Sequence, residues 1–301
     1  KKINIINRDT TIQKLASLIP NNPKHVFSYP YDEDVYYANR MSLCELPDCV
    51  SYISNKESGC SIDIINYVAL KQSRQYTICS TNDSMISDFY WSGNKKIITV
   101  FGRKIVDDSV NIGVGDIEKE IFSVVKIPHV GLVDQIVSLG SSISLFSHKN
   151  PSCAISGYDI RSNSGAFSFA KNLEDRVCRI AVSNNNQLIA AGLDNGYVKV
   201  FDVRKSGQSV CSTQINPNLE PPVQVAWLPS SNTKLVCCGG IGDNGIHLYD
   251  TDTSEIIANY SFGSRISRLS FIPVDKFNSN SMLAVGSGEY FGVKNKVGFY
   301  N

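Results

Sequence analysis

One pattern fills the second half of the chain: an apolar run, a polar turn, a run ending in small residues, an Asp/Asn/Gly turn, and a run closing on an aromatic residue followed by Asp or Asn. It reads RVCRIAVSNNNQLIAAGLDNGYVKVFDVR from Arg176 to Arg204 and PVQVAWLPSSNTKLVCCGGIGDNGIHLYDTD from Pro222 to Asp252. It returns as RISRLSFIP and SMLAVGSGEYFGVKNKVGFYN between Arg265 and Asn301. Short apolar runs punctuated by Gly, Asn, Asp and Ser are strands joined by tight turns. A unit of this size cannot bury both faces of its sheet alone, so it folds by stacking on copies of itself. The aromatics Tyr158, Phe201, Tyr249 and Tyr300 recur close to the roughly 40–45-residue period of a four-stranded propeller blade, with the excess in turns such as DKFNSN.

Weaker copies precede these, at Asp48–Tyr67, Ser84–Gly102 and Lys126–Arg161. The sequence therefore predicts an all-β, WD-repeat-like β-propeller with six recognisable blades, the last showing three strands. Trp227, inside an apolar run of the fifth blade, is expected in the core. The one helix-like stretch is TTIQKLASLI, Thr10 to Ile19, stopped by Pro20. From Ile19 to Asn39 the chain reads IPNNPKHVFSYPYDEDVYYAN; prolines at this density remove backbone donors and predict an extended strap. Residues 1–46 are thus expected to form an N-terminal extension and strap, and 47–301 the blades. A propeller hides its sheet edges by closing its ring, and KKINIIN or HVFSYP is the expected closing strand. The chain opens on Lys1, so it is expected to be part of a longer one.

Composition narrows the function. Lysine and arginine number 29 against 28 acids, which gives no summed charge to favour nucleic acid or an anionic membrane as partner. The nine cysteines sit mostly in apolar runs, such as Cys178 in RVCRIAV and Cys237 and Cys238 in KLVCCGG, as small hydrophobes in a reducing compartment. No CxxC pair occurs; Cys44 and Cys49 read as isolated thiols, and no metal site is expected. With no apolar run of membrane-spanning length and no leader, the expectation is an intracellular protein of the nucleus, the cytoplasm or both.

His25, His129, His148 and His247 lie in no motif with a nucleophile or carboxylate at useful spacing, so each reads as structural. GGIGDNG, Gly239 to Gly245, lacks the lysine and helix of a phosphate loop and reads as a turn. Asp159, Asp202 and Asp250 recur at one repeat position, which points to turn bonding rather than a set of catalytic acids. No catalytic residue and no cofactor are expected. The turns Leu193–Gly196, Ile241–Asn244 and Phe262–Arg265 differ between blades and would share one face. Asn195 and Arg265, then Asp194 and Asp243, are the candidate peptide contacts there.

The strap carries a resemblance. Ile19, Pro20, Pro23, Val26, Phe27, Pro30, Tyr36, Tyr37 and Asn39, with Asp32 and Asp34 between, stand in the register that leads into the propeller of the fizzy family, the substrate-recruiting activators of the anaphase-promoting complex. The chain resembles that family onward through GYDIR, AAGLDNGYVKVF and FGSRISRLSFIP to its last residue. The resemblance implies a seventh blade after Asn301, ring closure by the strand around Val26 and Phe27, and protein partners: degron-bearing substrates and ubiquitin-ligase subunits. It also implies degron binding on the propeller. The family's acidic residue after Y-Y-x-N falls here on Ser42, and its G-G-N-D-N falls on Ala191, Gly192, Leu193, Asp194 and Asn195, so Asn195 is the direct match. The alternative left open by the blade pattern alone is a structural scaffold subunit of another assembly; an enzyme using the central channel is a third reading.

Overall fold

A computed structural model describes the strands and tight turns of the chain between residues 35 and 300. Residues 1–34, residue 301 and most longer connections lie outside that description, including 102–108, 162–166, 216–223, 239–244, 262–265, 274–280 and 288–295. The expected helix at Thr10–Ile19, the strap up to residue 34, the closing strands and His25 and His129 therefore fall outside the described residues. All elements described are β-strands, 24 in number. The chain divides into two compact units, one spanning Pro30–Val177 and one built on Cys178–Asn301.

The first unit holds three antiparallel sheets. In the first, β1 (Val35–Tyr37) and β2 (Met41–Leu43) both pair with one edge of β3 (Cys49–Lys56), which continues to β4 (Gly59–Asn66) and β5 (Lys71–Cys79). The second is the meander β6 (Ile86–Trp91), β7 (Lys96–Phe101), β8 (Ser109–Asp116) and β9 (Ile121–Pro128). The third is β10 (Val133–Leu139), β11 (Ile143–His148), β12 (Ile155–Asp159) and β13 (Phe167–Ala170).

The second unit repeats the plan. Its first sheet runs β14 (Val177–Val182), β15 (Leu188–Leu193), β16 (Tyr197–Asp202) and β17 (Ser209–Gln214). The next runs β18 (Gln224–Trp227), β19 (Lys234–Cys238), β20 (Gly245–Asp250) and β21 (Glu255–Ser261). The last has three strands among the described residues, β22 (Ile266–Pro273), β23 (Ser281–Ser287) and β24 (Lys296–Tyr300), as the repeat predicts.

Burial explains why the strands read differently. The second strands β7, β11 and β15 are buried along nearly their whole length and lose the in–out alternation of a half-exposed strand. Ala190 and Ala191 in β15 are fully buried, and their small side chains let the neighbouring layers approach. Outer strands are half solvated. β17 alternates about a single buried residue, Cys211.

Cores form between successive sheets. Ile53, Ile62, Ile86, Phe89 and Ile97 join the first sheet to the second, and Ile98, Ile112, Ile136, Phe146 and Tyr158 join the second to the third. In the other unit Ala190, Val200, Trp227, Leu235 and Tyr249 join neighbouring sheets. Each of the larger aliphatic side chains and phenylalanines among these contributes roughly 1.5–3 kcal/mol on burial. The repeat aromatics Tyr158, Phe201 and Tyr249 are buried, and so are the free thiols Cys60, Cys178, Cys211 and Cys237.

Two exposed aliphatics have a backbone cause. Val200 faces Cys211 while Phe201 faces Ser209, which leaves Val210 as an extra residue in the outer strand. In the next sheet Leu248 faces Ala258 while Tyr249 faces Ile256, which leaves Ile257 extra. These are β-bulges at the same repeat position, beside the marker aromatic. They turn out Val210 and Ile257, which are 46% and 47% exposed.

Candidate functional site

Each sheet has two ends with different chemistry. At the end where third strands finish, an aspartate folds its carboxylate back onto the following turn. Asp202 Oδ1 accepts the Arg204 amide at 2.9 Å and the Arg204 Nε at 2.9 Å, while Oδ2 accepts Nη2 at 2.7 Å. Asp159 and Arg161 repeat the arrangement at 2.9, 3.1 and 2.9 Å. Asp250 accepts the Asp252 amide at 3.0 Å and pairs with Lys234 at 3.7 Å. Asp116, which the repeat alignment passed over, accepts the Glu118 and Lys119 amides at 3.1 Å. Bonding from Arg204, its side chain first and then its backbone, lowers Asp202 to about 2. These carboxylates are spent on turns, as expected for a structural repeat.

The described histidines are also committed. His148 is buried with Nε2 at 2.9 Å from Ser156 Oγ, and His247 Nδ1 lies 2.6 Å from Asn259 Oδ1. Among the described residues no group of three or more His, Cys, Asp or Glu is placed to hold a metal ion.

The opposite end carries the sequence candidates. Asp194 and Asn195 form the turn between β15 and β16, and both are half-buried. Asn195 Oδ1 accepts the Tyr197 amide at 3.1 Å, an Asx turn that leads into Gly196 at φ +83°. The Gly196 carbonyl accepts the Ile215 amide at 3.0 Å, which ties the turn to the end of the outer strand. Asn195 is thus a turn-former through its oxygen. Asp243 and Arg265 lie outside the described residues. The strand ends that flank them, Cys238 and Gly245 for Asp243 and Ser261 and Ile266 for Arg265, are described.

Contacts between β14 and β18 fix which ends lie together. Arg179 Nε donates to Gln224 Oε1 at 3.3 Å near the strand starts. The Trp227 indole donates to the Ala181 carbonyl at 3.0 Å in the middle. Asn184 Nδ2 lies 2.9–3.2 Å from the carbonyls of Leu228, Pro229 and Ser231 at the far end. The two inner strands therefore run side by side in the same direction. The Asp194–Asn195 turn and the mouth of the 239–244 connector consequently share one end.

That end holds a polar row that sequence reasoning missed. Trp227 pairs across to Leu235 and so to Tyr249; Gln224, three residues earlier, faces Cys238. Phe271 pairs across to Leu283 and so to Tyr300; Arg268, three residues earlier, faces Gly286. Ser183 and Leu228 close their turns identically, so Arg179 occupies the position of Gln224. A polar residue thus recurs at a fixed place in these inner strands, in RVCR, PVQ and RISR. The first unit has Asp88 there in β6, buried, with Oδ2 accepting the Ile136 amide of β10 at 2.9 Å. The signal was present in the repeat alignment, as polar residues at a position expected to be apolar.

Comparison with known proteins follows this geometry. No family model matches the chain. It is 23% identical to WD repeat-containing protein slp1 of Schizosaccharomyces pombe over 261 residues, covering 84% of this chain and 48% of that protein. It is 23% identical to APC/C activator protein CDC20 of Saccharomyces cerevisiae over 268 residues, covering 85% of this chain and 40% of that protein. The chain thus spans about half the length of the curated relatives it matches, or less. A chain in the crystal structure of a mitotic checkpoint complex superposes with a TM-score of 0.64 at 19% identity, covering 87% of this chain and 80% of that one. The fold is a WD-repeat β-propeller, as the repeat predicts.

Proposed function

We propose that this WD-repeat propeller, which resembles the fizzy family of activators, recruits substrates to the anaphase-promoting complex. On this reading the propeller binds degron peptides at the end that carries the Asp194–Asn195 turn. It acts without catalysis of its own, in the nucleus or cytoplasm, and presents the bound protein for ubiquitin transfer by the larger ligase. The observation that carries the reading is the likeness to CDC20 across most of the chain. The site chemistry is consistent with it: the aspartates that look catalytic are bonded into turns, and the polar groups at the other end suit hydrogen bonding to an extended peptide. Asn195, Asp194, Asp243 and Arg265 are the proposed peptide contacts.

Affinity purification of the full-length protein from its own dividing cells, followed by mass spectrometry, tests this. Subunits of the anaphase-promoting complex are expected among the recovered proteins. A reproducible set of partners without them would replace the activator by a scaffold subunit of another assembly.

A further inference from the structure

Two turns of the second unit are built alike. Asn195 Oδ1 accepts the Tyr197 amide at 3.1 Å, and Asn185 Oδ1 accepts the Gln187 amide at 3.1 Å, so each asparagine folds its side chain forward over the amide nitrogen between. The residue that follows stands at positive φ in both, +83° at Gly196 and +58° at Asn186. What differs is the residue itself. Gly196 has no side chain to shield its nitrogen or to hinder rotation of its backbone. Asn186 carries a full side chain, and its nitrogen is committed to the Ser183 carbonyl at 2.8 Å. Asn185 Oδ1 also takes a bond from Ser183 Oγ at 2.7 Å. Asn195 is only half-buried, which leaves its turn open to water.

We propose that the Asn195–Gly196 pair is a self-modification site, at which the chain converts Asn195 to aspartate and isoaspartate through a cyclic imide. The Gly196 amide nitrogen gives its proton to solvent base and bonds to Asn195 Cγ. The Cγ–Nδ2 bond then breaks, and Nδ2 takes up a proton from solvent and leaves as ammonia. Water opens the ring at one of its two carbonyls. Cleavage between Cγ and the Gly196 nitrogen gives aspartate, and cleavage between the Asn195 main-chain carbonyl carbon and that nitrogen gives isoaspartate, with the chain now running through Cγ. The balance is one water consumed and one ammonia released, with no oxidant or cofactor. The turn serves the step twice. It brings Cγ toward the attacking nitrogen, and the Tyr197 N–H already points at Oδ1, the oxygen on which negative charge develops in the tetrahedral intermediate. On the peptide-binding reading, either product exchanges the Asn195 N–H donor for a negative charge. Isoaspartate also adds a main-chain carbon to a turn that the Gly196 carbonyl ties to Ile215. Peptide affinity at this end would then decline with the age of the molecule.

Peptide mass spectrometry of the full chain, kept folded at neutral pH in heavy-oxygen water, tests this. Conversion during the incubation leaves heavy oxygen in the product, whereas conversion during later digestion in ordinary water does not. The tryptic segment from Ile180 to Lys199 carries both turns, so the two asparagines are read in one peptide. Fragmentation by electron transfer tells aspartate from isoaspartate. Asn195 is expected to accumulate both heavy-oxygen products at least about tenfold faster than Asn185. Its rate in the folded chain is expected to stay within about tenfold of its rate in the same chain unfolded in urea. Conversion at Asn195 no faster than at Asn185 would overturn the assignment, because the glycine would then confer nothing. Conversion in urea with none in the folded chain would overturn it as well, because the turn would then protect Asn195. No degron or ligase enters this assay, so its failure leaves the activator reading standing, and failure of the purification leaves the chemistry of the turn standing.

Discussion

Trp227 is held in two ways, by a core that includes Leu235, Val225 and Tyr249 and by the bond from its indole to the Ala181 carbonyl of the preceding sheet. Trp227→Ala is expected to cost about 3–5 kcal/mol in denaturant unfolding, the usual range for deleting a buried aromatic. Trp227→Phe keeps most of the ring and is expected to lose about 1 kcal/mol with the indole bond. A Trp227→Ala protein as stable as the parent would refute the inter-sheet role. Asp202 makes a prediction in pH. Its carboxyl titrates at about 2 instead of 3.8 because Arg204 bonds the charged form, so the folded chain binds this proton less readily than the unfolded one. The resulting stability is present above the ordinary carboxylate range and is lost as pH falls through it toward 2. Asp202→Asn should therefore melt below the parent at neutral pH, with the gap closing as acid is added. A gap unchanged down to pH 2 would assign the difference to something other than the charged pair. The sequence showed that Asp159, Asp202 and Asp250 were structural because recurrence at a repeat position is a property of the fold. It did not show Asp116, whose preceding residue is Gly115 where the other repeats carry an aromatic.

At the scale of the element, the glycines of β8 give way to a ring. Phe122 of β9 lies over Gly113 and Gly115; a Cβ on Gly113 would collide with Phe122 and with the Thr99 hydroxyl, and one on Gly115 would sit 3.0 Å from Phe122 Cδ2. Phe122 also meets Phe101 edge-on at a centroid distance of 6.5 Å. Gly113→Ala should destabilise by about 1–3 kcal/mol, as overpacking does, and Phe122→Leu in the same chain should restore part of the loss. Strict additivity in that double-mutant cycle would mean the ring and the glycine do not meet. The Asp194–Asn195 turn offers a second test at this scale. Asn195→Asp keeps the oxygen that accepts the Tyr197 amide and removes the side-chain N–H donor. On the peptide-binding reading, affinity for a degron peptide should fall by about 1–2 kcal/mol with melting unchanged. Equal affinity in the folded variant would remove Asn195 from the peptide site. Strand existence and order were legible because apolar runs and turn residues alternate so regularly. The bulges at Val210 and Ile257 were not, since an extra residue in a strand leaves no mark in composition, only in pairing.

At the scale of the whole molecule, successive antiparallel sheets place Cys60, Cys178, Cys211 and Cys237 under cover, in both compact units. Cys60, Cys178, Cys211 and Cys237 should therefore resist alkylation in the native chain and react on unfolding, as peptide mass spectrometry would read. Rapid native labelling of Cys237, which is fully buried, would contradict the packing between β19 and its neighbours. The number of blades visible in the sequence and the three-strand last sheet were legible because the repeat is the fold. The binding end was only half legible. Turn residues can be picked out by type, whereas the bond from Arg179 to Gln224 emerges only when β14 and β18 are set side by side. The Asp-ended turns have a further consequence for how the surface meets charged molecules. Arg161 and Arg204 are among the exposed cations, yet each is bound to the aspartate two residues before it in its own turn. A polyanion approaching that end would have to compete with a counterion already in place, so those arginines, conspicuous in the sequence, are electrostatically muted.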